Sequence, residues 1–345
     1  MTLVHPRSLE RWQEWRSHRR VPGIHRARPA APEETSGYVL HTREGEGDAR
    51  TLLGIDTVEG AVHGGLPAVL PYLQGTAHVL TPAALTLEAL AGPEWTHRRL
   101  SAPDEGLDAL GLTSVLTLGW EHEVGRSLHA WVREAEVPGA VVQHDVLTPF
   151  APPLPPETTL LAWSTQDGRY HRAGREDVEV RVVGSQRLWQ ARHDAAGSKE
   201  PTEERPVFLG QLDEVALPRR LTLGAADSAC RSTTALYRPG PGETGRLARA
   251  AHSFLRRRGI ELQDPALPLA EQARPVIAVF SADLLEAAVR GMPAWVHAPR
   301  GAPGWLAEHW ERYDLRRLGG EPTPAPAVGA DEPARLIAQI LEGGS

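Results

Sequence analysis

Ser281 and Glu286 share one short run, Val279-Phe280-Ser281-Ala282-Asp283-Leu284-Leu285-Glu286, which closes at Gly291 and Pro293. The run predicts a strand, a turn at Ser281 and a helix. Helix N-termini expose free N–H groups and a positive dipole end, so they attract phosphate, and a serine hydroxyl adds a further donor. Glu286 is an acid within a mainly apolar helix and needs a partner or water. A ribose or sugar diol meets that need. The plain alternative is an N-cap serine and a solvated glutamate.

A second chemical signal is Gly240-Pro241-Gly242-Glu243-Thr244-Gly245, with Glu261 further on. It has the form of a dinucleotide-binding G-x-G-x-x-G. Pro241 removes an N–H from that turn, and Glu243 puts negative charge where a pyrophosphate would rest. Other residues fall at predicted strand ends, where α/β ligands gather: Gly184-Ser185-Gln186, Gly210-Gln211 and Glu121-His122-Glu123. They line a site or make tight turns. Trp305, Trp310 and Tyr313 read as packing. The sequence has no P-loop, no G-x-S-x-G elbow, no H-E-x-x-H and no Asp-x-Asp. Its 15 histidines lack metal-ligand spacing.

Elements must hold these residues in place. Strands are expected at 38–42, 51–55, 77–80, 114–118, 140–143, 159–163 and 178–183. Helices are expected at 81–91, 124–134 and 166–173. Residues 191–206 are polar and charged and read as a linker. Beyond it, strands at 207–209, 233–237, 275–280 and 294–297 alternate with helices at 243–258, 282–290, 305–318 and 332–341. Short apolar strands between helices indicate parallel sheets covered on both faces. The expected fold is α/β, with two Rossmann-like domains and an interdomain cleft. Residues 1–190 are expected to form one domain and residues 207–345 the other.

The pattern S-x4-E-A-A-x-x-G-x-P resembles the donor-nucleotide site of GT-B glycosyltransferases. It is similar to the wall-polymer enzymes of the CDP-glycerol glycerophosphotransferase and polysialyltransferase-like type. The resemblance implies that Ser281 meets the donor phosphates and Glu286 the ribose, with no bound metal or other cofactor. Such enzymes often carry His-Gly at an N-domain strand end, with the histidine as base. Here the stretch is Val141-Val142-Gln143-His144-Asp145. His144 is retained as candidate base, and Asp145 replaces the glycine as a group that orients it or raises its pKa. A His-Pro motif of the C-domain is represented by Tyr237-Arg238-Pro239-Gly240-Pro241, with glycine where the histidine would stand. Arg238 is then the remaining group to stabilise a departing phosphate. Gly184, Ser185 and Gln211 complete the expected donor-binding set. The implied function is transfer of a sugar or polyol phosphate from a nucleotide-activated donor to a cell-envelope polymer or glycolipid. A non-catalytic nucleotide-binding relative and a nucleotide-sugar epimerase are the alternatives.

Composition narrows the partners. The 345 residues carry a net charge of −7. Residues 1–30 hold seven arginines against two glutamates, so the remainder stands at −12. An acidic body argues against nucleic acid. The basic head contains a predicted helix, capped by Ser8, with Leu9, Trp12 and Trp15 on one side. Such a helix either lies on an anionic membrane or docks on the body through its tryptophans. One cysteine excludes an internal disulfide, and the absence of asparagine excludes N-glycosylation. No apolar run reaches the roughly 20 residues of a membrane span. The expected location is cytoplasmic, with possible attachment at the inner membrane face.

Overall fold

The computed structural model describes residues 2–19, 37–195, 205–212, 216–265, 267, 269, 273–299 and 301–343. They form two compact units. The first comprises 2–15, 37–189 and 329–343, and the second comprises 16–19 and the described part of 190–328.

The first unit is built on an eight-stranded sheet. Its strands are β1 (Tyr38–Arg43), β2 (Arg50–Gly54), β3 (Thr76–Pro82), β4 (Thr96–Leu100), β5 (Ser114–Thr117), β6 (Gly139–Val142), β7 (Thr159–Ala162) and β8 (Glu179–Val182). Their order is β4-β1-β3-β2-β5-β6-β7-β8. β1 runs antiparallel to β3 and β4, and the other pairings are parallel. Alternation along β2 sends Leu52 to one face and Leu53 to the other, and both are fully buried. Leu52, Leu80 and Val115 pack with Val124, Leu128 and Val132 of helix α4 (Glu123–Glu134). Leu53, Val79 and Leu116 pack with Leu66 and Val69 of the one-turn helix α3 (Leu66–Val69), which follows α2 (Val58–Gly64). Helices before β3 and after β5 thus cover opposite faces, and the winding reverses between β2 and β5. Ligands of open α/β sheets bind beyond the strand C-termini at such a point.

The second unit has a four-stranded parallel sheet, β10-β9-β11-β12. Its strands are β9 (Val207–Leu209), β10 (Leu236–Arg238), β11 (Val276–Ala278) and β12 (Ala294–Val296). Helices α7 (Arg219–Thr233), α8 (Arg246–Arg257), α9 (Ala282–Val289) and α10 (Gly304–Arg312) connect or follow them. The winding reverses between β9 and β11. Both sheets are Rossmann-like, in agreement with the α/β expectation.

Several expectations are corrected. Residues 81–91 are not one helix: Thr81 and Pro82 pair with Val39 and Tyr38. The run Thr96–Leu100 is a mostly exposed edge strand, too polar to be recognised by apolar alternation. Helix α7 buries Thr222, Ala225, Ala226, Ala229 and Cys230, a face of small side chains that gives little apolar contrast. The polar stretch from 191 begins inside α6 (Gln186–Ala195), and 196–204 lie outside the described residues. The last helix, α11 (Pro333–Leu341), packs not in the second unit but in the first. Its Ala334, Ile337, Ala338 and Leu341 join the core of Leu66, Leu70 and Leu73. Glu342 Oε1 accepts from the N–H groups of Gln74 and Gly75, both at 2.8 Å.

Close packing at the first reversal point has a testable cost. A Cβ on Gly125 would stand 2.0 Å from the Gly119 carbonyl oxygen. Backbone is on both sides of that contact, so it relaxes poorly. Gly125→Ala is expected to lose about 3 kcal/mol in urea unfolding. A loss below about 0.5 kcal/mol would show that the turn yields.

Candidate functional site

The strand ends of the first unit gather a polar group. Asp56 follows β2, and its two carboxylate oxygens accept from Val124 N at 2.8 Å and Gly125 N at 3.0 Å. It therefore occupies the N-terminus of α4 itself. Burial pushes its carboxyl up, against the lowering pull of those two N–H groups. Glu121, after β5, has a buried Oε2 with no hydrogen-bond partner. It curls back over Gly119, whose added Cβ would meet that oxygen at 2.3 Å.

His144 sits two residues beyond β6, half-buried. Its stalk is fixed. Gln143 N donates to Leu161 O at 3.0 Å, and the Gln143 carbonyl accepts from Trp163 Nε1 at 2.7 Å. Gln143 Oε1 also accepts from Trp163 N at 3.0 Å. Helix α2 comes close because Gly64 has no side chain: a Cβ there would lie 2.3 Å from Leu118 Cδ2 and 3.3 Å from His144 Cβ. Asp145 is exposed, and its Oδ1 accepts from Val146 N at 2.7 Å. That bond shapes the turn after His144.

Beside His144 runs the proline-rich segment 149–156. Proline supplies no N–H, so this backbone cannot pair with itself and its carbonyls need outside donors. Four side chains provide them. Trp12 Nε1 donates to Phe150 O at 2.8 Å, His171 Nε2 bonds Pro152 O at 3.0 Å, and Trp120 Nε1 donates to Pro153 O at 2.7 Å. Arg175 donates to Leu154 O at 2.6 Å and Pro155 O at 3.0 Å. Arg175 also holds Asp177, whose carboxyl it draws down to about 2.

Gly184 and Ser185 make the turn from β8 (Glu179–Val182) into α6. Gly184 adopts φ 88°, and Ser185 Oγ accepts from Leu188 N at 3.4 Å. Gln186 then bonds Glu332 Oε1 at 2.8 Å and accepts from Ala334 N at 2.9 Å. This turn is the seat of α11.

In the second unit, Gln211 follows β9 and Ser281 follows β11, the two strands at the reversal. Gln211 Oε1 accepts from Val279 N and Phe280 N, both at 3.2 Å, and its Nε2 donates to Phe280 O. The side chain is a staple between strand ends. Ser281 Oγ caps α9, accepting from Asp283 N at 3.1 Å. Glu286 is met by Arg290 Nε at 3.2 Å, and Arg290 also reaches Asp194. Arg238 donates to Pro265 O at 3.0 Å and to Leu267 O, so its guanidinium braces a loop. Of the expected donor set, Ser281 and Gln211 come together at the reversal; the Arg238 carbonyl accepts from Gly210 N at 2.7 Å, while its guanidinium turns to the loop.

Three residues of consequence were missed or misread in the sequence. Glu243 is fully buried and accepts from Tyr237 Oη at 2.9 Å, Leu212 N at 2.9 Å and His252 Nε2 at 2.7 Å. A glutamate in a Gly-Pro-Gly turn gives no hint of that. Asp56 is a single acid after an apolar run and His171 one polar residue among many in the polar helix α5 (Thr165–Arg172), and only the fold pairs them with their neighbours.

The N-terminal helix α1 (Leu9–Arg19) is capped by Ser8, which accepts from Arg11 N at 3.2 Å. Trp12 is buried and Trp15 stacks on Phe150, with ring centroids 4.6 Å apart. These tryptophans dock the helix and do not form a lipid-facing stripe. Among the described residues no helix is long and apolar enough to cross a membrane. Also among them, no group of three His, Cys, Asp or Glu is arranged to hold a metal ion.

No family model matches the chain, and no curated protein does. Solved structures show distant similarity. UDP-GlcNAc 2-epimerase from Methanocaldococcus jannaschii is 13% identical, with 85% of this chain and 99% of that chain covered and a TM-score of 0.46. The S. aureus MnaA–UDP co-structure is 12% identical over 85% of this chain and 88% of that one, with a TM-score of 0.49. A glycosyltransferase from Rickettsia africae ESF-5 is 9% identical over 87% and 93%, with a TM-score of 0.47.

Proposed function

We propose that the chain transfers a sugar or polyol phosphate from a nucleotide-activated donor to an acceptor hydroxyl of the cell-envelope polymer or glycolipid class. The supporting observation is Ser281 at the strand-end turn of the β9/β11 reversal, heading a helix. A diphosphate there meets the Ser281 hydroxyl and the positive end of α9. In the reaction, His144 takes the acceptor proton while the acceptor oxygen bonds to the donor and the nucleotide leaves. The leaving phosphate carries away the electron pair of the broken bond.

Calorimetry against CDP, CMP, UDP, GDP and NAD tests the donor. One nucleoside diphosphate is expected to bind, and Ser281→Ala to weaken it about tenfold. Failure of every nucleotide to bind overturns the reading. His144→Ala is expected to lower turnover at least ~100-fold with binding retained. A second reading, a nucleotide-binding relative without turnover, is favoured by one observation: Arg238 is engaged by backbone carbonyls. Binding without product formation would select it.

A further inference from the structure

The edge of the eight-stranded sheet carries a histidine pair that the candidate site does not use. His41 of β1 and His97 of β4 stand directly opposite one another in the antiparallel register. Side chains so placed leave the same face, with Cβ atoms about 5 Å apart. The two Nδ1 atoms are 2.8 Å apart, and the rings meet edge to face with centroids 4.8 Å apart. Imidazole nitrogens come this close as donor and acceptor, so one hydrogen lies between them. The contact is open to solvent, and His97 itself is exposed. The other nitrogen of His41 is also held: Nε2 lies 3.2 Å from Oγ1 of Thr81 on β3, a fully buried threonine. With its Nε2–H donated to that oxygen, His41 offers Nδ1 as a lone pair. A ligating histidine is commonly set in this way by a second group on its far nitrogen.

The spacing selects among ions that could take the place of the shared hydrogen. Imidazole nitrogens lie about 2.0 Å from a bound metal. At that length, neighbouring positions of a square-planar or tetragonal ion put two nitrogens about 2.8 Å apart, and tetrahedral positions put them about 3.3 Å apart. We infer that His41 Nδ1 and His97 Nδ1 form a two-nitrogen site for divalent copper or nickel. The ion takes the two nitrogens in neighbouring positions and keeps water in the others. The hydrogen between the rings moves to His97 Nε2 as the ion enters, so no proton is lost. Copper and nickel both favour tetragonal sets of nitrogen and oxygen ligands, and imidazole suits them. Two cations share this face by alternation, Arg43 on β1 and Arg99 on β4. Arg43 is turned to the Leu70 and Leu73 carbonyls and lies over Trp95. A bound ion ties edge strand β4 to β1. The site owes nothing to the reading of Ser281 and His144.

The test titrates the full chain, with 15N-labelled histidine, against CuCl2, NiCl2 and ZnCl2 at neutral pH. At substoichiometric copper, the signals of His41 and His97 are expected to broaden before those of the other histidines. The copper electron-spin spectrum is expected to show two coordinating nitrogens. His97→Ala is expected to weaken copper binding about tenfold and to lose that two-nitrogen signature. His41→Gln is expected to do the same, and His18→Ala on α1 to bind as the wild type does. Copper leads zinc at most sites, so the geometry is tested by nickel, which is expected to bind ahead of zinc. Copper affinity unchanged in both His97→Ala and His41→Gln would mean an adventitious ion only and would overturn the inference. Zinc binding ahead of nickel would overturn it as well. Should His41→Gln fail to fold, His97→Ala on the exposed edge strand decides alone.

Discussion

Lowering the pH from 6.5 to 4 is expected to cost the first unit about 3 kcal/mol for each of two buried histidines, His129 and His171. Burial depresses both to about 4, below the ordinary value of 6.5. The unfolded chain therefore binds more protons than the folded one across that window. Stability is full above 6.5 and drains as the pH falls through 4. His129 is neutral on Thr117, with Nε2 and Oγ1 2.8 Å apart, and has no carboxylate to compensate a proton. His41 is depressed to about 4 as well, but it is half exposed and adds less. Asp56, with its carboxyl raised, works in the opposite direction. Asp177, held down to about 2, loses its contribution only below this window. Urea midpoints at pH 7.5, 6, 5 and 4.5 measure the slope, and His129→Gln is expected to flatten it. A midpoint constant from pH 7 to 5 would contradict neutral burial of these rings.

Glu243→Ala is expected to destabilise the second unit by about 3–5 kcal/mol. The substitution strips the acceptor from Tyr237 Oη, His252 Nε2 and Leu212 N at once, all in a buried setting. Each orphaned donor costs of order 1–3 kcal/mol. Glu243→Gln keeps one accepting oxygen and is expected to lose about half as much. Because Leu212 adjoins Gln211, the alanine variant also loosens the turn beside Ser281, and weaker nucleotide binding should accompany it. A loss below about 1 kcal/mol would mean that the three donors find water.

The sheets were legible where burial on both faces demands continuous apolar runs. Ser114–Leu118, Thr159–Trp163 and Val207–Leu209 announce themselves in this way, as does the serine cap of α9. Edge strand β4 and small-faced α7 hide because their burial is slight or carried by Ala, Thr and Cys. The place of α11 was hidden for another reason. Nothing local says whether Ala334 and Ile337 meet the nearer sheet or the farther one, and Gln186 with Glu332 decides it across 146 residues. Candidate residues fared according to their hydrogen-bonding capacity. Gln211 and Arg238 sit at strand ends as expected, yet unpaired backbone carbonyls and N–H groups claimed them first.

The side-chain ties on the proline-rich segment have a mechanical consequence. Trp12 grips Phe150, two residues before the Pro152 carbonyl that bonds His171. The first helix, the exit of β5 and the helix after β7 therefore open and close on one shared strap. They should behave as a single cooperative block in which fraying at the amino end reaches His171. Trp12, on the helix that in sequence suggested a foot for a membrane, is the outer clasp of that block.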